Sequence, residues 1–170
     1  MKYLWTPWRS TYMKEKKDKT KCIFCEAAAS TEDAKNLVVH RGQFCFVILN
    51  RYPYTSGHLM IAPYRHVSRL TAVDEVTTAE MMQLVRRAET VLQEAYSPDG
   101  LNLGMNLGEA AGAGIEQHIH MHVLPRWRGD ANFMTSVGAT RIIPEALEDT
   151  YRKVREMWGS LVGSGEEMLR

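Results

Sequence analysis

The stretch that decides the fold is His118-Ile-His-Met-His-Val-Leu-Pro-Arg126, in which histidine alternates with apolar residues. Side chains of a β-strand point alternately to opposite faces of the sheet, so His118, His120 and His122 would share one face. The intervening apolar residues would then point into the core, a pattern typical of a strand with one buried face. The stretch therefore predicts a β-strand that carries three imidazoles side by side.

Three of the six histidines of the chain fall within residues 118–122. A single histidine is usually structural, but three in alternation require a shared reason because each imidazole needs hydrogen-bond partners or water. One metal ion cannot easily bind all three, since the outer two lie roughly 13 Å apart on a straight strand and a zinc–nitrogen bond is about 2 Å. At least one imidazole is therefore expected to act as a nucleophile, acid or base.

The composition is that of an ordinary globular protein, with 45% hydrophobic and 24% charged residues in a chain of 170. This length predicts one domain with tails. The net charge of +1 gives no indication of binding to nucleic acid or to a membrane surface. No apolar run approaches the ~20 residues of a membrane span and no signal peptide is evident, so a cytoplasmic location is expected. The odd number of cysteines, three, argues against a secreted disulfide framework.

Three segments are distinguished along the chain. Residues 1–21 form a basic, aromatic N-terminal arm, with seven Lys or Arg against two acids, whose aromatic part we expect to dock on the body or on a partner subunit. Residues 22–133 form the domain that contains the histidine stretch. Residues 134–170 form a C-terminal helix and tail.

Five strands and one long helix are predicted for the domain. Strands are expected at 37–40, 44–49, 58–62 and 101–107 and at the histidine stretch, with a small polar connector at 26–36. The long helix is expected to begin at a capping box of Thr77 and Glu80 and to stop at 97–100. Three strands precede this helix and two follow it, which predicts an α+β domain with a mainly antiparallel sheet. An edge of that sheet could pair with a second subunit.

A C-terminal helix is expected from Pro144, followed by a frayed tail from Gly159. Four residues at helical spacing would form its buried face, namely Leu147, Tyr151, Val154 and Trp158.

Cys22 and Cys25 form a Cys-x-x-Cys pair near the start of the domain. A redox dithiol normally lies in a thioredoxin-like context, which is not visible here. A zinc half-site is the alternative, and it needs two further cysteine or histidine ligands to complete a tetrahedron. Cys45 is poorly suited because it lies within an apolar strand, so histidines are the available ligands.

A glycine- and alanine-rich loop at 108–114 directly precedes the histidine stretch. Glycine allows backbone N–H groups to approach an anion closely, as in phosphate-binding nests. A mobile hairpin loop would explain the same composition, but the position beside the histidines favours phosphate binding. The backbone of this loop, including Gly112 and Gly114, is therefore a candidate nucleotide-binding element.

The histidine stretch resembles the signature of the histidine-triad (HIT) family, in which three histidines alternate with hydrophobic residues. Further landmarks match over about residues 22–126, namely Cys22-Ile-Phe-Cys25, Asn50, Gly57-His-Leu-Met-Ile-Ala-Pro63 and Gly104-Met-Asn106. The resemblance is narrowed to the bacterial branch that includes diadenosine tetraphosphate phosphorylases by Leu4-Trp-Thr-Pro-Trp-Arg9, Asn50-Arg-Tyr-Pro-Tyr54, Gly57-His-Leu-Met60 and Pro125-Arg-Trp-Arg-Gly-Asp-Ala-Asn-Phe133.

The resemblance implies a fold and a mechanism. The fold would be HIT-like, a five-stranded antiparallel sheet with a helix, and dimeric as in most members. His120 would attack the α-phosphate of a nucleotide to form a covalent nucleotidyl-histidine, which phosphate or water then resolves. His122 and His58 would hold phosphate oxygens or assist the leaving group. Asn50 would contact the ribose, and Asn106 the phosphate or the leaving group.

The resemblance also implies a metal site. In zinc-containing members the four ligands match Cys22, Cys25, His66 and His118, and the zinc would be structural, tying the N-terminal segment to the catalytic strand. One position departs from many relatives, since Gly114 occupies the place where a Gln or Ser side chain touches phosphate. Phosphate contact there would come from the backbone alone.

These expectations lead to an enzyme that cleaves dinucleoside polyphosphates such as diadenosine tetraphosphate, with phosphate or water as the acceptor. A nucleoside phosphoramidase or nucleoside-monophosphate hydrolase is one alternative, and a nucleotide-binding regulatory protein with little turnover is another. The expected partners are the nucleotide substrate and a second copy of the chain, with neither nucleic acid nor membrane.

Overall fold

A five-stranded antiparallel sheet forms the centre of the protein. The computed structural model describes residues 22–130 and 144–165, and side chains as far as Leu161, so the predicted arm at 1–21 lies outside the described residues. The strands are β1 (Val38–Arg41), β2 (Cys45–Leu49), β3 (Leu59–Pro63), β4 (Gly100–Gly104) and β5 (Met121–Arg126). The helices are α1 (Ile23–Ala29), α2 (Asp33–Asn36), α3 (Glu75–Tyr96) and α4 (Leu147–Gly165). The predicted α+β class and antiparallel sheet are confirmed.

The strands lie in the order β1-β2-β3-β5-β4, and all neighbours are antiparallel. Every residue of β2 and β3 is buried, so both faces of the sheet centre are covered, which explains the continuous apolar sequences of these strands. β5 lies between β3 and β4, although β4 precedes it in the chain. This order brings the histidine stretch beside the start of β3.

The bounds of β1, β2 and β3 agree with the prediction to within one residue, whereas β4 ends at Gly104 rather than at Leu107. The C-terminal helix also differs, because it begins at Leu147 and not at Pro144. It remains helical through Gly165, so residues 159–165, which were predicted to belong to a frayed tail, are in fact part of the helix.

The start of α3 is not the predicted capping box of Thr77 and Glu80. The N-cap is Asp74, whose carboxylate accepts a hydrogen bond from the Thr77 N–H at 2.8 Å. Glu80 points instead to the β1–β2 turn, where its carboxylate accepts from the three consecutive N–H groups of residues 43–45 at 2.7, 2.6 and 2.7 Å. The prediction was wrong because the turn offers this carboxylate three backbone donors, whereas a capping box offers one.

The polar connector predicted at 26–36 was also wrong, since the chain forms α1 and α2 there. α1 has seven residues and buries Phe24 and Ala27. The Arg41 guanidinium donates to the Ala27 and Ala28 carbonyls at the end of α1 and pairs with Asp33 in α2 at 2.9 Å. Because so short a helix is not stable alone in water, these tertiary contacts hold it, and no local pattern reveals them.

The C-terminal helix α4 covers the β1 edge of the sheet. Val154 and Trp158 are 0% and 2% exposed, which confirms the C-terminal half of the predicted buried face. The Tyr151 hydroxyl and the Arg155 guanidinium donate to backbone carbonyls of β1. Among the described residues, no helix combines the length and apolar character needed to cross a bilayer.

Candidate active site and metal centre

The three histidines of the stretch lie next to each other but not on one regular strand. β5 starts one residue before His122, so His118 and His120 precede the sheet ladder. The backbone between these two histidines bonds to the segment after β3, since the Ile119 N–H donates to the Val67 carbonyl at 2.8 Å. The prediction of one strand for all three is therefore wrong. The rings of His120 and His122 are nevertheless 4.7 Å apart between centroids.

His58 lies outside the histidine stretch but packs with two of its members. We call this group, His58, His120 and His122, the histidine cluster. His58 Nε2 lies 2.9 Å from His122 Nδ1. The contact follows from the register of β3 and β5, in which Met60 is opposite His122, because residues two apart on a strand share a face. His58 is 0%, His120 6% and His122 9% exposed, so the structure brings the three predicted catalytic side chains into one buried group.

Backbone partners determine which nitrogens of His58 and His122 carry protons. The Tyr54 N–H, which can only donate, lies 3.2 Å from His58 Nδ1, so that nitrogen is unprotonated. The proton of the neutral His58 ring is therefore on Nε2, which donates to His122 Nδ1. The neutral His122 ring must then carry its own proton on Nε2.

His120 is held in the opposite tautomer. Its Nδ1 lies 2.9 Å from the His118 carbonyl oxygen, which can only accept, so Nδ1 is protonated and Nε2 keeps its lone pair. A neutral imidazole whose other nitrogen donates to a fixed acceptor is a competent nucleophile. The site thus combines a lone pair on His120 with an N–H donor on His122.

Burial keeps the histidine cluster neutral. Desolvation, with smaller effects of His122 and His120, lowers the pKa of His58 to about 3. Desolvation and the neighbouring His120 lower the pKa of His122 to about 4. Desolvation also lowers the pKa of His120 below its ordinary value. The rings are therefore neutral at pH 7, which is the state that their hydrogen bonds require.

The four residues implied as metal ligands converge. The ligand atoms of Cys22, Cys25, His66 and His118 all lie within 4.8 Å of one another. The sulfurs of Cys22 and Cys25 are 3.4 and 3.6 Å from His118 Nδ1, and Cys25 Sγ is 3.2 Å from His66 Nδ1. In a zinc tetrahedron, with bonds of about 2.3 Å to sulfur and about 2.0 Å to nitrogen, adjacent sulfur and nitrogen atoms are about 3.5 Å apart. The group therefore has the donors and the spacing to hold a metal ion.

The orientation of His118 also fits a cation. His118 Nε2 donates to the Pro63 carbonyl at 2.8 Å, which leaves the Nδ1 lone pair directed at the two sulfurs. In the absence of a cation, burial and the adjacent Cys22 thiol raise the pKa of Cys25 to about 11. A bound metal would reverse this effect, because ligation stabilises the thiolate.

Phe24 connects the metal ligands to the histidine cluster. It lies between Cys22 and Cys25 in sequence and is completely buried. Its ring centroid is 5.2 Å from that of His118 and 4.8 Å from that of His120. Sequence reasoning missed this contact because nothing in the Cys-x-x-Cys motif shows what its middle residues pack against.

Tyr54 is a second residue that sequence reasoning missed. Its ring centroid lies 4.8 Å from that of His58 and 6.2 Å from that of His122. Tyr54 is 41% exposed, so its ring lies between this histidine pair and solvent. A signal existed, since Tyr54 closes the Asn50–Tyr54 motif, but the motif alone does not show where the ring packs.

The predicted nucleotide-binding residues occupy two places. Asn50 follows β2, and its Oδ1 accepts from the Tyr52 N–H at 3.0 Å while its Nδ2 lies 3.3 Å from His58 Nδ1. Asn106 comes just after β4, whose last residue is paired with His122. The chain therefore leaves the sheet towards the glycine-rich loop directly beside His122.

The glycine-rich loop contains a short 3-10 turn at Glu109–Ala111. Gly112 has φ +86°, a conformation that favours glycine, and its N–H donates to the Glu109 carbonyl at 2.9 Å. A phosphate contact through this N–H would therefore require the turn to open. A cavity of about 430 Å³ adjoins the loop and is lined by Ser68, Arg69, Leu107, Gly108, Glu116 and Gln117.

Comparison with known proteins agrees with this arrangement. Residues 31–129 match the family model for the HIT domain. Over 163 residues the chain is 42% identical to an AP-4-A phosphorylase of Mycobacterium tuberculosis, covering 91% of this chain and 83% of the relative. Among solved structures, it is similar to a Zn-bound histidine triad family protein from Mycobacterium smegmatis, with a TM-score of 0.68 and 27% identity, covering 86% of this chain and 99% of the other. A hypothetical histidine triad nucleotide-binding protein from Sulfolobus tokodaii is similar with a TM-score of 0.63 and 27% identity, covering 82% and 93%.

Proposed function

This chain belongs to the HIT family and is an enzyme of that family, and we propose that it cleaves dinucleoside polyphosphates such as diadenosine tetraphosphate. The observation that carries the proposal is the pairing of a free Nε2 lone pair on His120 with an N–H donor on His122. The identity of 42% to a phosphorylase of this substrate class supports the choice of substrate.

In the proposed reaction, His120 Nε2 attacks the α-phosphorus of diadenosine tetraphosphate. The bond from this phosphorus to the oxygen bridging to the β-phosphate breaks, ATP leaves, and AMP is bonded to the imidazole. Phosphate then attacks the same phosphorus, which releases ADP and restores the free ring. Water in place of phosphate would release AMP. We propose phosphate as the physiological acceptor because the relative compared above is a phosphorylase.

His122 and His58 would act on the phosphate oxygens. His122 presents its Nε2–H, and a donor already fixed in place stabilises developing negative charge without reorganisation. His58 holds His122 in this state through the 2.9 Å hydrogen bond.

The remaining nucleotide contacts extend the proposal. Asn50 would contact the ribose, since its amide has a second N–H and its oxygen a second lone pair. Asn106 and the backbone at Gly112 and Gly114 would contact phosphates, after the turn before Gly112 opens. The cavity of about 430 Å³ beside this loop offers room for the second nucleotide of the substrate.

We assign Cys22, Cys25, His66 and His118 to a structural zinc ion. Bound zinc would cross-link α1 to the segment after β3 and to the residue that begins the triad. Because the protein supplies all four ligands, no coordination position is open for substrate. A reducing, cytoplasmic location would keep these thiols available and is part of the proposal.

The proposal includes a homodimer formed through the β4 edge of the sheet. Tyr151 and Arg155 cover the β1 edge, whereas Leu103 in β4 is 52% exposed. Within the part of the chain that the structure describes, β4 pairs only with β5, and a free strand edge favours pairing with another strand. Sedimentation should therefore give twice the chain mass of 19.4 kDa for the natural protein, and Leu103→Lys should shift it towards the monomer.

The proposed activity is tested by incubating the purified protein with diadenosine tetraphosphate, with and without inorganic phosphate, and separating the products. ADP and ATP that form only with phosphate would support the phosphorylase. AMP and ATP in both incubations would identify a hydrolase. Binding without turnover would contradict the enzyme and favour a regulatory nucleotide-binding protein, and turnover of an adenosine phosphoramidate alone would favour a phosphoramidase.

A further inference from the structure

We infer that Asn50 is a positioning residue that, together with the Tyr54 N–H, sets the proton arrangement of His122 through His58. The inference rests on the proposed function, because the proton on His122 matters only if that ring meets a reacting phosphate. It gives Asn50 a task beyond a contact with ribose, and the two tasks predict different behaviour of the same variants.

The orientation of the Asn50 amide follows from a backbone donor. The Tyr52 N–H lies 3.0 Å from one terminal atom of the side chain, which must therefore be the carbonyl oxygen Oδ1. The other terminal atom is then Nδ2, which lies 3.3 Å from His58 Nδ1. A terminal NH2 group only donates, so Asn50 presents a donor to His58 and never an acceptor.

His58 Nδ1 consequently faces two donors, the Asn50 amide and the Tyr54 N–H at 3.2 Å. A proton on this nitrogen would oppose both of them within a buried site, so the Nε2–H tautomer is strongly favoured. That tautomer donates to His122 Nδ1 at 2.9 Å and forces the proton of neutral His122 onto Nε2. The loop after β2 thus sets the donor at the reaction centre through one intervening ring.

The residues that set the His58 tautomer lie within a short segment of the sequence. Asn50, Tyr52 and Tyr54 alternate in the loop that joins β2 to β3, and His58 directly precedes β3. The Asn50 N–H also donates to the His58 carbonyl at 2.9 Å, which fixes the two residues relative to each other. Backbone and side chain of Asn50 therefore both act on His58.

Two substitutions separate positioning from ribose binding. Asn50→Asp keeps an oxygen for the ribose and for the Tyr52 N–H but replaces the donor facing His58 with an acceptor, so the His58 proton should move to Nδ1. His122 would then have to donate from Nδ1 and would lose its Nε2–H. Asn50→Ala removes the donor without supplying an acceptor, and the Tyr54 N–H still favours the original tautomer.

The experiment measures kcat and KM for diadenosine tetraphosphate and the imidazole nitrogen shifts by 15N NMR on the zinc-loaded protein. Positioning predicts that kcat falls on the order of 10²-fold in Asn50→Asp and less in Asn50→Ala, with the His58 tautomer reversed only in the aspartate variant. A role confined to ribose predicts the opposite order, because aspartate can still accept from a ribose hydroxyl and alanine cannot.

Arg51→Ala is the matched control, since Arg51 is adjacent in sequence but bonds to the Lys35 carbonyl at 3.3 Å, away from His58. It should leave kcat and the tautomers unchanged. An unaltered His58 tautomer in Asn50→Asp, or a kcat that is lower in Asn50→Ala than in Asn50→Asp, would overturn the inference. The NMR result does not require turnover, so failure of the proposed function would be recognised separately.

Discussion

At the scale of single residues, obligate backbone partners decide what each histidine can do. The His118 carbonyl accepts from His120 and leaves it a lone pair, whereas the Tyr54 N–H donates to His58 and, through it, leaves His122 an N–H. Neighbouring imidazoles of identical chemistry thereby acquire opposite roles. The proposed nucleophile and the proposed donor are distinguished by hydrogen-bond direction and not by residue type.

Replacement of the proposed nucleophile gives the most direct prediction at this scale. His120→Ala should lower turnover of diadenosine tetraphosphate on the order of 10⁴-fold or more, because the covalent route is lost. Product release is followed by chromatography. His40→Ala is the control, since His40 stacks on Trp158 at 5.3 Å, outside the histidine cluster, and should retain turnover. Normal turnover by His120→Ala would refute the mechanism.

The buried His58 also predicts a dependence of stability on pH. Its folded-state pKa of about 3 lies below the ordinary value of 6.5, so the unfolded chain binds the extra proton between these values. The free energy of unfolding contributed by this group is therefore fully present above pH 6.5 and is lost as the pH falls towards 3.

Urea unfolding of the natural protein and of His58→Gln at several pH values measures this dependence. The difference in unfolding free energy between the two proteins should shrink steadily from pH 7 to pH 4, by up to about 1.4 kcal/mol for each pH unit. A difference that stays constant over this range would show that His58 is not buried in its neutral form.

At the scale of elements, α1 joins the proposed zinc site to the reaction centre. The helix begins next to one ligand, Cys22, contains a second, Cys25, and places Phe24 against His120 with ring centroids 4.8 Å apart. A helix of seven residues depends on such contacts for its stability. Loss of metal should therefore disturb His120 even though we propose a purely structural role for the metal.

Metal analysis and thermal unfolding test this connection. The protein purified without chelator should contain about one zinc per chain, and Cys25→Ser should lower both the zinc content and the melting temperature, the latter by about 10 °C. Cys45→Ala, which removes a buried thiol outside the ligand group, should keep its zinc. Full occupancy by zinc in Cys25→Ser would contradict the ligand assignment.

The β1–β2 turn depends on a single carboxylate of α3. Glu80→Gln should lower the free energy of unfolding by about 2 kcal/mol, because an amide accepts through one oxygen and turns its NH2 group towards backbone donors. Glu89→Gln on the exposed face of the same helix should change it by less than about 0.5 kcal/mol. Equal effects of the two substitutions in urea unfolding would exclude this role for Glu80.

At the scale of the whole molecule, α4 closes the sheet on the side away from β4. Trp158 is buried, stacks on His40, and lies beneath the Arg87 guanidinium at 5.0 Å from its ring centroid. Arg155 and Tyr151 bond to the β1 backbone. Among the described residues, these contacts cover β1 but not β4, which is the edge that we propose for pairing with a second copy of the chain.

Removal of the Trp158 ring should therefore affect stability more than chemistry. Trp158→Ala should lower the free energy of unfolding by about 3–5 kcal/mol through loss of packed volume, while kcat of the folded fraction at low temperature stays within about threefold. Glu156→Ala, at an exposed position of the same helix, serves as the control. A large fall in kcat with unchanged stability would show that α4 belongs to the active site.

The elements of the fold were largely predictable, and the errors have a common cause. Apolar runs located β1 to β3, and helical periodicity located the long helix and the buried positions Val154 and Trp158, because burial leaves a hydrophobic pattern in the chain. The short α1 and the true partner of Glu80 depend on residues more than ten positions away. Local sequence patterns do not reveal such contacts.

The candidate site was likewise predictable in its local features but not in its contacts between distant residues. The sequence by itself determined the family to which the chain belongs and the residue types of the site, since the alternation at 118–122 and the Cys-x-x-Cys pair mark candidate reactive and metal-ligating side chains. Only the tertiary structure decided that His118 turns to Pro63 and the cysteines, that His58 meets His122, and which nitrogens carry protons. The physical reason is that spacing along a chain is a local property, whereas the direction of a hydrogen bond depends on partners that folding brings together from distant positions.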